Sequence, residues 1–366
     1  MDMISTKRAM HYSKRAKKAL LIKAGPGTGK SEGTEQYAET IAQEHGECFL
    51  SVLNAATANL GNVAGFLIPV KDEKLGITKT GFAKMRGEFT YPHFFIDRKT
   101  GRPADTFKHG IVVIEEWGQG SPEVRRALAT LIHEYRMGEY VLPPDFQIII
   151  LSNRAIDRSG VSGKEFMFLV NRWTQVELVT TLEDWMGYAL EHGVSELAMA
   201  FAVQNTESVW GTKMPEKDEP WLTLRSLVGA DRILAEAFDD GADVKDPLLV
   251  EMLEGTIGQG ATAQLMAFAR LRDQLPTYDE ILSRPGTART PKDNAPDALM
   301  LTSYMLASKV EKDTLKPIMA YMMRVPEAFG VTFVKAALKR RPALIHTKDM
   351  GDYCLKNSVI IGAVTR

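Results

Sequence analysis

The sequence predicts an α/β fold, a parallel sheet packed between helices, followed by an all-helical part. Three features carry that expectation. Short apolar runs alternate with helical patterns through the first half, most of those runs lack polar alternation, and the β signal stops near Glu183. Strands covered by helices on both faces read as continuous apolar runs, whereas a sheet with one wet face alternates. At 366 residues and 45% hydrophobic content, the chain can build one large or two medium domains, each with its own core.

The expected strands are residues 19–24 (ALLIKA), 48–53 (CFLSVL), 111–114 (IVVI), 146–151 (FQIIIL) and 174–179 (TQVELV). Between the second and third lies a long section, 61–110, in which residues 93–107 read as a β-hairpin around Lys99-Thr100-Gly101. From about Glu183 helical runs dominate, at 182–190, 224–238 and 248–275, and this shift marks a domain boundary. The polar, Pro-punctuated stretches 205–220 and 283–296 read as loops.

The first strand runs into AGPGTGKS, residues 24–31, and a helical run follows. Strand, Gly-rich loop, Lys-Ser pair and helix together form a phosphate-binding loop, so the fold class sharpens to a P-loop NTPase αβα core. Gly25, Pro26, Gly27, Thr28 and Gly29 are the expected cradle, whose backbone N–H groups meet phosphate oxygens at a helix N-terminus. Lys30 is expected to reach the β- and γ-phosphates of ATP, and Ser31 to offer its hydroxyl to Mg2+.

In this fold class an apolar strand ends in acidic residues beside the phosphate loop, and here IVVI is followed by Glu115-Glu116. Glu115 is assigned to the metal together with Ser31, and Glu116 to general-base duty; the reverse assignment stays open. Asn153 follows FQIIIL, at the strand end where ligands of parallel sheets collect. Arg172, in Asn171-Arg172-Trp173, closes an apolar helix just before the last strand, where a guanidinium can reach a neighbouring subunit's γ-phosphate.

The ordered set AGPGTGKS, VVIEEWGQGSPEVRRALATLIHEYRMGEYVLPPDFQIIILSNRAIDRSG, FLVNRW and LTLRSL resembles AAA+ ATPases of the MoxR-like type, as found in phage and bacteria. The resemblance covers residues 18–228 and thins out beyond, although GQGATAQLMAFARLRDQLP is also similar to the lid region of such members. It implies sensor 1 at Asn153, a trans-acting arginine finger at Arg172, sensor 2 at Arg225, and a further interface arginine at Arg158. Ala24 for the leading Gly, Glu115 for Asp, and TLR for PxR around Arg225 depart from the family pattern.

The resemblance further implies an AAA+ core over 1–180 with an insert at about 61–110, then a helical lid and C-terminal helical region over 181–366, with ATP between core and lid. The activity implied is ATP hydrolysis at the subunit interfaces of a hexameric ring, remodelling or activating a client or adaptor protein, often one with a von Willebrand A domain. Two alternatives stand beside it: a nucleic-acid motor or loader, and a nucleotide-gated ring with low turnover, which Glu115 keeps open. The insert is the expected partner-contacting element. Its Phe89, Tyr91, Phe94 and Phe95 either grip a chain or form the core of the hairpin.

A formal net charge of -1, from 45 basic and 46 acidic residues, gives no global field for nucleic acid or an anionic membrane. The basic run Lys14, Arg15, Lys17, Lys18 reads as a solvated entry segment. Only Cys48 and Cys354 occur, too few for a disulfide framework or a structural zinc site, which fits a reducing cytoplasm. Both are expected as buried small hydrophobes. No run approaches the roughly 20 apolar residues that span a bilayer. Met319, Met322 and Met323 are expected in a helix core.

Overall fold

In the computed structural model the described residues are 1–154, 167–206, 209, 215, 218–272, 275–292 and 295–356. They divide into two compact units, within Met1–Thr180 and Thr181–Arg366.

The first unit opens with α1 (Met3–Arg15), whose N-terminus is capped by the Asp2 carboxylate accepting from the Ser5 amide. β1 (Ala19–Ala24) leads into α2 (Lys30–His45), and β2 (Phe49–Asn54) into the short α3 (Leu60–Ala64). A hairpin follows, β3 (Leu67–Lys71) paired antiparallel with β4 (Met85–Phe89). Next come β5 (His109–Glu115), α4 (Pro122–Glu134) and a small ribbon of β6 (Arg136–Met137) and β7 (Tyr140–Val141). β8 (Asp145–Asn153), α5 (Met167–Val170) and β9 (Trp173–Glu177) complete the unit.

Among the described residues, β2, β5, β8, β1 and β9 form one parallel sheet in that spatial order. Successive side chains on a strand point to opposite faces, so each strand feeds two cores. Leu21, Val112, Ile114, Ile148 and Ile150 pack with Leu128 and Ile132 of α4. Leu20, Ile22, Ile111, Val113, Ile149 and Leu151 pack with Met10 of α1 and Tyr37, Ala38 and Ile41 of α2. Each fully buried aliphatic side chain stabilises by about 1.5–3 kcal/mol, which is why uninterrupted ILV runs specify these strands. This is the αβα core that the sequence predicts.

The insert corrects one expectation. Residues 93–107 are not a two-stranded hairpin: only a single bridge, Ile96 to Pro103, joins the flanks. The turn is organised by buried Asp97, whose carboxylate accepts from the Lys99 and Thr100 amides at 3.1 and 2.8 Å and from the Thr100 hydroxyl at 2.8 Å. The same side chain accepts from the Leu50 amide at 2.9 Å, and Arg98 N donates to Leu50 O at 3.0 Å. The segment thus covers the outer edge of β2, where open backbone groups invite wrong pairings. The extended hairpin lies upstream, at β3 and β4. Phe94 and Phe95 belong to the sheet core, whereas Phe89 is exposed.

The second unit is helical throughout its described residues. Its core includes Phe201, Leu227, Leu253, Leu306, Tyr321 and Phe333. Capping boxes start two of its helices, Thr181 with Asp184 before Leu182–Glu191, and Thr223 with Ser226 before Leu224–Asp239. The run expected over 248–275 is two helices, Pro247–Ile257 and Gln259–Arg272, broken at Gly258. Gly258 has φ +82, and a Cβ there would lie 2.5 Å from the Pro220 carbonyl oxygen, so the break needs a residue with no side chain. Met319 and Met322 are buried, but Met323 is exposed. The two cysteines are half-buried, and burial pushes the Cys48 thiol up to about 12. No described helix is long and apolar enough to cross a membrane.

Candidate nucleotide site

Three strand ends build the site. β1 stops at Ala24, β8 at Asn153 and β5 at Glu115; Ala24 is in register with Asn153, and Ile114 with Ile150. Because β8 lies between β1 and β5, an amide from the middle strand sits between the phosphate loop and the acidic pair.

The loop between β1 and α2 needs left-handed backbone at Gly27 (φ 71) and Gly29 (φ 80), the latter capping α2. Its curl is held from inside by the Thr28 hydroxyl, which donates to Gly25 O at 2.8 Å. A further clamp comes from Thr180, whose hydroxyl donates to Thr28 O at 2.6 Å. Lys30 Nζ folds back across the loop, donating to Gly25 O at 2.9 Å, Ala24 O at 3.2 Å and Asn153 Oδ1 at 2.7 Å. The Ser31 hydroxyl donates to Glu115 Oε1. Asn153, nearly buried, also points its Nδ2 at Glu116 Oε2, 3.5 Å away.

Glu116 has φ 50 and ψ 37, a left-handed backbone that costs a non-glycine residue about 1–2 kcal/mol. That conformation ends β5 and starts a 3-10 turn, Trp117–Gln119, whose indole is buried edge-on to Trp173 with ring centroids 5.7 Å apart. On the facing side Ala55 N donates to Glu115 O at 2.9 Å, so the backbone of the acidic pair is held from β2 as well.

Ser31 and Glu115 present a hydroxyl and a carboxylate against one another, the hard oxygen donors that Mg2+ takes. The extra methylene of Glu relative to Asp does not prevent the contact. These residues fit the ion.

Lys30, Ser31, Glu115, Glu116 and Asn153 are therefore brought together, along with the loop of residues 25–29. Arg172 is not among them. It precedes Trp173, which is in register with Ala19 at the start of β1, so it lies at the amino edge of the sheet, roughly 17 Å along the strand from the phosphate loop. Its Nη1 donates to Ala129 O of α4 at 3.5 Å. Arg225 belongs to the second unit and is exposed in the first turn of Leu224–Asp239. Arg158 lies outside the described residues.

Sequence reasoning missed three neighbours of the loop. Thr180 is one. Met3 is another, its thioether packing where Gly33 of α2 leaves space: a Cβ there would come within 2.5 Å of Sδ. The third is Arg154, whose Nη2 lies 3.3 Å from the position of a Cβ on Gly25 and whose Nη1 is 3.2 Å from Glu177 Oε1. The available signal was a cation directly after the strand-ending amide in LSNR.

No family model matches the chain, and no curated protein does. Among solved structures it is similar to a point mutant of Thermotoga maritima RuvB, at 14% identity, 86% of each chain covered and a TM-score of 0.37. It is also similar to NtrX from Brucella abortus in complex with ADP, at 14% identity, with 98% of this chain and 68% of that one covered and a TM-score of 0.37. At those values the likeness does not bear on the site, whose reading rests on its own geometry.

Proposed function

We propose that this chain is an AAA+ ATPase of the MoxR-like type, which binds and hydrolyses ATP at the subunit interfaces of a ring, hexameric by resemblance, and remodels a partner protein. The observation carrying the reading is the direct hydrogen bonding of Lys30 to Asn153 and of Ser31 to Glu115, which ties the phosphate loop to two other strand ends. A Gly-rich turn serving only as a connector has no need of these links.

In this reading the loop amides and Lys30 bind the β- and γ-phosphates. Ser31 and Glu115 would hold magnesium, which would offset the negative charge that develops on the phosphate oxygens. Glu116 accepts the proton of the attacking water as its oxygen bonds to the γ-phosphorus and the bond from that phosphorus to the ADP oxygen breaks. Asn153, linked to Lys30 and facing Glu116, positions that water. Arg172, too far along the sheet to serve its own loop, is the finger for a neighbour's nucleotide, and Arg225 is the second sensor.

The exposed hairpin is the proposed partner-contacting element. Phe66, Leu67, Ile77, Phe82, Met85 and Phe89 are all more than two-fifths exposed, an apolar display that a chain working alone would not favour. A client or adaptor, in this family type often one with a von Willebrand A domain, is the proposed occupant, and a reducing cytoplasm the proposed compartment. One observation favours the nucleic-acid reading instead: residues 74–84 carry exposed Lys74, Lys79 and Lys84 with exposed Phe82 and no acidic residue.

Steady-state turnover and calorimetry test the reading together. Lys30→Ala is expected to abolish ATP binding, and Glu116→Gln to keep ATP bound while slowing hydrolysis about 100-fold or more. Unchanged ATP affinity in Lys30→Ala overturns the phosphate-loop assignment. Stimulation by single-stranded DNA or RNA, lost when Lys74, Lys79 and Lys84 are replaced by Ser, would move the substrate from protein to nucleic acid.

A further inference from the structure

We infer that Arg154 is a phosphate-binding cation that distinguishes ATP from ADP, held in reserve by Glu177; the inference rests on the nucleotide reading above. Arg154 leaves the end of β8, crosses the end of β1 and reaches Glu177 on β9, with Nη1 3.2 Å from Oε1. On the way its Nη2 passes over Gly25, 3.3 Å from where a Cβ would stand, so any larger residue there would push against the guanidinium. Lys30 Nζ touches the same residue, at 2.9 Å from Gly25 O.

Two cations therefore converge on one loop residue. The carboxylates on the β5 side are engaged elsewhere, Glu115 with Ser31 and Glu116 facing Asn153. Glu177 balances Arg154, but its side chain is 55% exposed, so that pair is a surface ion pair of little strength. A terminal phosphate in the loop offers the guanidinium a better acceptor. It is doubly charged and matches the planar fork, and it sits in a cradle of amides that already attracts anions. Arg154 then exchanges Glu177 for the γ-phosphate, an exchange ADP cannot complete.

The test is an equilibrium titration of the full chain with fluorescent ATP and ADP analogues in Mg2+. Arg154→Ala is expected to cut the ratio of ATP to ADP affinity about tenfold, the scale of one charge-assisted contact. Arg154→Lys, keeping the charge without the fork, should recover part of it. Glu177→Gln should raise ATP affinity, since the guanidinium then has one carboxylate fewer to leave. A merely structural clamp would give no such gain. An unchanged ratio in Arg154→Ala whose thermal midpoint matches the wild type, or weakened ATP binding in Glu177→Gln, overturns the inference while leaving the loop assignment intact. If the wild-type chain binds neither nucleotide, both readings fall.

Discussion

Single residues divide into those whose chemistry is local and those whose role depends on neighbours far away in sequence. Lys30, Ser31 and the acidic pair are legible because the motif is contiguous and the spacing itself encodes the loop. Arg154, Thr180 and Met3 are not, since each matters only through which strand or helix lies beside it in space. Asp97 is of the second kind. Burial pushes its carboxyl up, yet hydrogen bonds from the Leu50, Thr100 and Lys99 amides and the Thr100 hydroxyl outweigh that and hold it below its ordinary 3.8. A carboxyl depressed by folding contributes stability that is fully present above the unfolded value and lost as pH falls through the folded one. Asp97→Asn should therefore lower stability at neutral pH, and the deficit should shrink as pH drops below about 4. Urea denaturation of both proteins at pH 7 and pH 3 checks this; a deficit independent of pH would assign the loss to altered turn geometry.

At the scale of elements, sequence patterning located the sheet strands to within a few residues, and it failed where one glycine or one carboxylate overrides a pattern. The apolar periodicity across 248–275 is continuous, but Gly258 reverses the backbone and splits the run into two helices. The flanks of Lys99-Thr100-Gly101 suggest a hairpin, whereas Asp97 gathers that turn onto the edge of β2. Gly258→Ala should be costly, because the left-handed φ is strained for any side chain and the added Cβ meets the Pro220 carbonyl. A loss of about 1–3 kcal/mol in chemical denaturation is expected. A neutral effect would mean that the two helices can re-form as one without penalty.

The whole molecule poses a question that neither motifs nor elements answer, which is why the proposed finger, Arg172, should sit at the wrong end of the sheet. Arg172 lies at the amino edge, while the phosphate loop opens at the carboxyl edge. Service to a second copy resolves the mismatch. Arg172→Ala is then expected to bind ATP normally and to lose hydrolysis by a factor of about 10³. Mixing it with Glu116→Gln should restore part of the activity, since some interfaces then pair an intact base with an intact finger. Co-assembly without recovery would make Arg172 a structural arginine and remove the main support for shared sites. The order of the sheet carries one more consequence. β1 carries the loop of the proposed nucleotide site, yet both its partners come late: Leu20 pairs with Ile149 on one side and with Thr174 on the other. During synthesis the strand bearing the phosphate loop leaves the ribosome early and waits, without a neighbour on either edge, until β8 and β9 have followed. A nascent chain stalled before Asp145 consequently has the whole motif but no site, and it carries an unpaired apolar strand that cellular chaperones must shield.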